Sequence, residues 1–209
     1  MNDAQRQSVA DFMQRLYHRQ LTTASGGNIS VRAGDGHILL TASKLDKGHL
    51  TGEQVGVLTL DGENLTPELT PSIEAGMHLA IYQRHPAIRA VVHAHPVTAT
   101  AFCASRRAIN CRYIAEAYAI IGDPAVAPYA RMGTPELAEH AADAAGQASC
   151  VLLENHGILT TGKDLLTAFD RLELVEIAAR TTMILEQLGG AQELTPAQQA
   201  ELDEMVGRH

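Results

Sequence analysis

Four short stretches of this 209-residue chain carry side chains whose types and spacing could do chemistry together. The first is His93-Ala94-His95, preceded by Val91 and Val92 and stopped by Pro96, a pattern that reads as the end of a strand. On a strand, residues i and i+2 face the same way about 6.5 Å apart. Two imidazoles so placed can converge on one metal ion, with Zn–N distances of about 2.0–2.1 Å. As plain strand residues they would instead need other polar partners. The second stretch, Glu154-Asn155-His156-Gly157, sets a third imidazole at a tight turn after an apolar run, where Gly157 allows a positive φ. Alone, a turn histidine is more often structural or exposed than a ligand. Its weight comes from the His-x-His pair.

The third stretch holds Glu74, in the first turn of a helix opened by Thr70-Pro71-Ser72 and striped by Ile73, Met77, Ala80 and Ile81. A carboxylate beside that buried face could move protons. A first-turn acid also simply complements the helix dipole, and His78, four residues on, is a ready partner. The fourth stretch is Ser25-Gly26-Gly27-Asn28-Ile29-Ser30. Adjacent glycines can turn backbone N–H groups inward as an anion nest, with Asn28 adding a donor. It is neither a Walker motif nor a dinucleotide fingerprint, and an ordinary loop has the same composition.

These residues need a frame. Apolar spacing predicts a helix over 5–20 and strands over 29–32 and 37–41 around a turn at 33–36. Strands follow over 55–60 and 64–65 around Asp61-Gly62, then the 70s helix ended by Pro86, a strand over 90–95 and a helix over 97–104. Thr134-Pro135 starts another helix, and strands run over 150–153 and 158–161. A long helix covers 165–188 and stops at Gly189-Gly190, and Thr195-Pro196 with Gln198 forms a capping box for a last helix. The expectation is one α/β domain over residues 1–209, a mostly antiparallel sheet with helices on its faces.

Composition removes several function classes. Sixteen basic against 24 acidic side chains leave a net charge of −8, which disfavours nucleic acid and anionic membranes as partners. No Trp and 4% aromatics argue against a base-stacking platform. No apolar run approaches the ~18 residues of a bilayer span, and the first residues lack a signal-peptide pattern. Three cysteines without a CxxC pair make a disulfide framework improbable and a reducing cytoplasm the expected compartment.

In order and spacing, Ser25-Gly26-Gly27-Asn28-Ile29-Ser30, Pro71-Ser72-x-Glu74, Val92-His93-Ala94-His95 and Asn155-His156-Gly157 resemble the class II aldolase/adducin family, over about Phe12 to Leu188. Within it the motifs are most similar to the fuculose-1-phosphate and 5-deoxyribulose-1-phosphate or methylthioribulose-1-phosphate type aldolases. The resemblance implies a three-layer α/β/α fold around a central, mostly antiparallel sheet, and a homotetramer with sites at subunit interfaces. It implies zinc, with manganese or cobalt as alternatives, held by His93, His95 and His156. Glu74 would be the acid/base carboxylate, able also to bind the metal, and Gly27, Asn28, Ser43 and Ser72 would cradle phosphate. Lys44 stands where these aldolases have glycine and could add charge to that cradle, or be a plain exposed lysine. Ile73 replaces the second serine of their Ser-Ser-Glu.

The catalytic tyrosine, brought from a neighbouring subunit, would be Tyr113, one residue before the aligned position held by Ile114. The implied activity is cleavage of a short ketose 1-phosphate to dihydroxyacetone phosphate and an aldehyde. Dehydration of methylthioribulose 1-phosphate and sugar-phosphate epimerisation use the same scaffold. A non-catalytic adducin-like head typically lacks the three histidines, and a metal-dependent amidohydrolase barrel needs ~250 residues. No tyrosine-bearing tail is present, and Met132 lies in the segment that approaches the aldehyde in the aldolases. An apolar far end, such as a 5-deoxy, 6-deoxy or 5-methylthio sugar of methionine salvage, is therefore expected.

Overall fold

The computed structural model describes residues 3–34 and 36–208. Asp35, in the expected 33–36 turn, lies outside the described residues, as do Met1, Asn2 and His209. In chain order the elements are α1 (Asp3–His18), β1 (Asn28–Arg32), β2 (His37–Thr41), β3 (Val55–Thr59), α2 (Ala75–Arg84), β4 (Ala90–Ala94) and α3 (Val97–Ser105). There follow α4 (Ala115–Ile120), β5 (Ala125–Ala127), α5 (Pro135–Ala145), β6 (Cys150–Leu153), β7 (Gly157–Gly162), α6 (Leu165–Leu188) and α7 (Pro196–Val206).

The seven strands form one sheet in the order β3-β2-β1-β4-β7-β6-β5. Every neighbouring pair is antiparallel except β5 with β6. Helices cover both faces, giving the three layers. On one face Val92 and Ala94 of β4 pack with Met13 of α1, Phe102 of α3 and Phe169 of α6. On the other, Val91 packs with Met77 and Ile81 of α2 and Leu137 of α5. All of β4 is therefore buried. Period-2 alternation sends His93 to the α2 face with Val91, which is how a strand in mid-sheet comes to aim an imidazole at the start of a helix.

The structure corrects the sequence reading in places. Helix α2 starts at Ala75, so Glu74 is its N-cap residue rather than a member of its first turn, and Ile73 is 64% exposed instead of heading the buried stripe. The cause is local: the Ser72 hydroxyl accepts the Glu74 N–H at 3.2 Å, a turn that precedes the helix. Ala80 is only half-buried, and the buried face is Met77, His78, Ile81 and Tyr82. Residues 64–65 make one bridge, Leu58 with Asn64, and no strand. The Asn64 side chain takes the Thr66 N–H and donates to the Leu69 carbonyl, bending the chain away. Helix α4 and strand β5 were not anticipated, since six and three residues are too short for a period to show.

Among the described residues, no helix is long and apolar enough to cross a membrane. All three cysteines are free and buried.

One buried charge ties the sheet's histidine end to the far layer. Helix α3 begins right after Pro96, which offers no side-chain cap. Glu176 of α6, 3% exposed, fills that place and accepts the N–H groups of Thr98 at 3.2 Å and Ala99 at 2.8 Å. Arg180 donates to the same carboxylate at 2.7 Å. Glu176→Ala strands the buried Ala99 N–H and the half-buried Thr98 N–H, and urea unfolding of that variant is expected to show a loss of about 1–3 kcal/mol.

Candidate active site

Four chain segments meet at one end of the central strands. The register opposes Asn28 of β1 to His93 of β4, and Ala94 to Ile158 of β7. The tip of β4 thus lies beside the 154–157 turn that carries His156. Ligand atoms of His93, His95 and His156 lie within 4.8 Å of one another. Ring centroids are 4.7 Å apart for His93 and His95 and 4.9 Å for His93 and His156. His93, fully buried, donates from Nδ1 to the Ile158 carbonyl at 2.9 Å, which leaves its Nε2 lone pair facing the cluster.

The turn works differently from the sequence expectation. Asn155, not Gly157, takes the left-handed conformation, at φ 53°. Gly157 is needed for space: a Cβ there would lie 2.6 Å from His95 Cδ2 and 2.7 Å from the Ala94 carbonyl. Gly27 combines both demands, with φ +67° and a Cβ position 2.8 Å from the His93 carbonyl.

Glu74 points into the histidines from the α2 side and is 6% exposed. Its Oε1 is 3.0 Å from His156 Nε2, and its Oε2 is 3.3 Å from His93 Nε2. His93 Nε2 has no hydrogen-bonding partner among the described residues, and Glu74 Oε1 has only the His156 ring beside it. Burial pushes the His93 and His95 imidazoles down, His95 to about 3. Burial would raise the Glu74 carboxyl, but the adjoining His93 and His156 rings and the Asn28 amide outweigh it and hold the group well below its usual range. A carboxylate and imidazole lone pairs share a dry space with unmatched acceptors. That donor set fits a divalent cation, three imidazoles and a carboxylate being ordinary ligands of a catalytic zinc.

The phosphate candidates are less uniform. Asn28 is buried, and its Nδ2 donates to Glu74 Oε2 at 2.8 Å and to Ser72 Oγ at 3.1 Å, so its amide is engaged with the carboxylate. His78 is partnered by Asn28 rather than by Glu74, its Nε2 lying 2.5 Å from Asn28 Oδ1. Ser43 is half-buried, its N–H on the Thr70 carbonyl, and Lys44 beside it is exposed with φ 60°.

Sequence reasoning missed Lys47. It is 2% exposed, its Nζ donates to the Ala42 carbonyl at 2.6 Å, and burial pushes its pKa down to about 8. Its N–H bonds the Ala24 carbonyl, so it ties the glycine loop to the Ser43 loop. A lysine in the polar run 43–49 carries no sequence signal of burial. Tyr113 lies in a half-buried 3₁₀ turn, Cys111–Tyr113, and no hydrogen bond among the described residues links it to the histidines. Met132 and Ile73 are both exposed, and a crevice of about 250 Å³ beside Glu74 is lined by Ile73, Met77, Gly133 and Leu137.

Comparison with known proteins places this arrangement. The model of the class II aldolase and adducin N-terminal domain matches residues 7–183. A 3-oxo-tetronate 4-phosphate decarboxylase of Haemophilus influenzae is 35% identical over 187 residues, covering 88% of this chain and 89% of the relative. An L-fuculose phosphate aldolase of Methanococcus maripaludis is 35% identical over 173 residues, covering 83% and 93%. Among solved structures, an L-fuculose 1-phosphate aldolase superposes with a TM-score of 0.88 at 32% identity, over 97% of this chain and 95% of that one. Decarboxylation lies outside the activities that the sequence motifs suggested. The chain belongs to the class II aldolase and adducin N-terminal domain family.

Proposed function

We propose that the protein is a metal-dependent carbon–carbon lyase that releases dihydroxyacetone phosphate and an aldehyde from a short ketose 1-phosphate. The observation that carries this reading is the convergence of His93, His95, His156 and the buried Glu74 on one point. The three histidines would hold the ion, zinc by preference for an imidazole set and manganese or cobalt as alternatives, with Glu74 as a further ligand before substrate enters. When bound, the ion would supply positive charge against the oxygens that take up the electron pair of the breaking bond.

In cleavage, the hydroxyl on the departing carbon gives its proton to solvent on the aldehyde side, the C3–C4 bond breaks, and the pair passes to the ketose carbonyl as an enediolate. Glu74 takes up a proton from solvent and delivers it to C3, which completes dihydroxyacetone phosphate. Asn28 holds Glu74 through its amide, and Gly27, Ser43, Lys44 and Ser72 keep the phosphate in register. Tyr113 of a neighbouring copy would serve the aldehyde side in a homotetramer, a role supported by its hydroxyl having no hydrogen bond among the described residues. The exposed Ile73 and Met132 support a deoxy or methylthio end. We read residues 1–209 as one such domain, working in the cytoplasm on a small sugar phosphate.

A second reading is favoured by the 35% identical decarboxylase. Loss of CO2 from a 3-oxo-tetronate 4-phosphate breaks C1–C2 and leaves the same enediolate. Glu74 again completes dihydroxyacetone phosphate, and no proton moves on the departing fragment. Metal-loaded protein given 5-deoxyribulose 1-phosphate, ribulose 1-phosphate and 3-oxo-tetronate 4-phosphate separates the readings. Aldehyde with dihydroxyacetone phosphate supports the first, CO2 with it the second, and no dihydroxyacetone phosphate from any of them rejects both. A deoxy sugar is expected to exceed its hydroxylated counterpart in kcat/KM by the modest factor that ~1–3 kcal/mol allows.

Two variants test the centre itself. His95→Ala is expected to lower bound metal from about one ion per chain, by elemental analysis of the folded protein; unchanged stoichiometry would remove His95 from the ligand set. Glu74→Gln keeps the shape but cannot carry the proton, so turnover should fall at least ~10²-fold while metal is largely retained.

A further inference from the structure

Behind Glu74 and Asn28 two rows of polar groups continue into His78, Ser30 and Tyr82, which the proposed reaction does not use. Glu74, His78 and Tyr82 recur every four residues at the start of and along α2, and Asn28, Ser30 and Arg32 recur every two along β1. Four helical residues rise about 6 Å and two strand residues about 6.8 Å, so the two rows stay in step as rungs. Asn28 Nδ2 meets Glu74 at 2.8 Å, and Asn28 Oδ1 meets His78 Nε2 at 2.5 Å. His78 Nδ1 meets Ser30 Oγ at 2.6 Å, and Ser30 Oγ meets the Tyr82 hydroxyl at 2.9 Å. The Arg32 guanidinium lies 5.0 Å from the Tyr82 ring centre. Asn28, Ser30, His78 and Tyr82 are each 3% exposed or less, so water cannot readily stand in for a missing partner.

Burial makes the direction of each bond a matter of counting donors. An ionised Glu74 only accepts, so Asn28 must turn its N–H₂ toward it. That leaves Oδ1, an acceptor, facing His78, so the His78 proton must sit on Nε2. Nδ1 is then bare, and the Ser30 hydroxyl must donate to it. We propose that His78 is a positioning residue: through its Nε2 proton it fixes the direction of the Asn28 carboxamide and so holds Glu74 in the pose that faces the three imidazoles. Without that proton the amide can turn over, setting Oδ1 against the Glu74 carboxylate at hydrogen-bond range, where two acceptors repel. The effect on turnover rests on Glu74 as the proton-transfer group. The orientation does not.

The test has two independent arms. In metal-free protein with ¹⁵N-labelled histidine, NMR should find the His78 proton on Nε2, and a bare Nε2 overturns the proposal. For activity, His78→Leu removes the donor, whereas His78→Gln places an amide N–H₂ where Nε2 was. Per metal-loaded chain, His78→Leu is expected to lose at least about tenfold in kcat with KM within about twofold. His78→Gln should return to within about threefold of wild type, although both variants lose thermal stability. Equal kcat losses in the two variants would mean a merely structural role and overturn the proposal, as would wild-type kcat in His78→Leu. Should His78→Leu fail to fold, a loss of about tenfold or more in His78→Gln overturns it, and near-normal turnover in that variant supports it. If wild-type protein yields no dihydroxyacetone phosphate, the proposed function fails while the NMR result still decides the orientation of Asn28.

Discussion

A carboxylate held among imidazole rings in a nearly dry space is the constraint from which the rest of the site can be understood. Glu74 is 6% exposed, and two of the three rings stand within 3.3 Å of its oxygens. An ionised group so placed needs compensation, and this chain offers it from the Asn28 amide on one side and from the proposed cation on the other. The surrounding backbone yields to that demand. Helix α2 begins one residue after Glu74, the Ser72 hydroxyl turns the chain just before it, and two glycines leave room where rings and carbonyls crowd the tip of β4.

A decarboxylase and an aldolase are both among the relatives of this chain, and the two reactions have much in common. Aldol cleavage and loss of CO2 both send an electron pair to a ketone carbonyl, and both end with a proton delivered to carbon. What differs is the fragment that leaves. Beside the buried Glu74 the exposed Ile73 lines a crevice, while Met132 is exposed and Tyr113 sits in a separate turn. A buried centre with exposed side chains beside it suits a scaffold on which function is set by the site rather than by the fold.

Polar tethers from outside keep the segments of this interior in place. Glu176 of α6 seats the first turn of α3, the helix that leaves His95. The Asn155 N–H bonds the Cys103 carbonyl of α3, so the turn bearing His156 is tied to the same helix. Lys47 joins the loop preceding Asn28 to the Ser43 loop through two backbone carbonyls. Buried polar groups with directional partners fix loops more sharply than apolar packing does, because each geometry that breaks such a bond strands a polar group.

Much of this was legible in the sequence because it depends on near neighbours along the chain. Period-2 alternation located β4, although the strand ends at Ala94 and His95 meets His93 from just beyond it; helical periods located α1 and α6; Thr-Pro caps located α5 and α7. The motif order predicted the family and the three layers. What stayed hidden depends on groups far apart in sequence. That Asn28 serves Glu74, that His78 serves Asn28, and that Gly157 is small because His95 lies against it are decided 46, 50 and 62 positions away along the chain. The start of α2 could not be read either, since Ile73 fits the apolar stripe by spacing yet faces solvent once Ser72 and Asn28 draw Glu74 inward. Local pattern determines which elements form and which faces they bury. The direction of a buried hydrogen bond is set only when the sheet brings its donor and acceptor together.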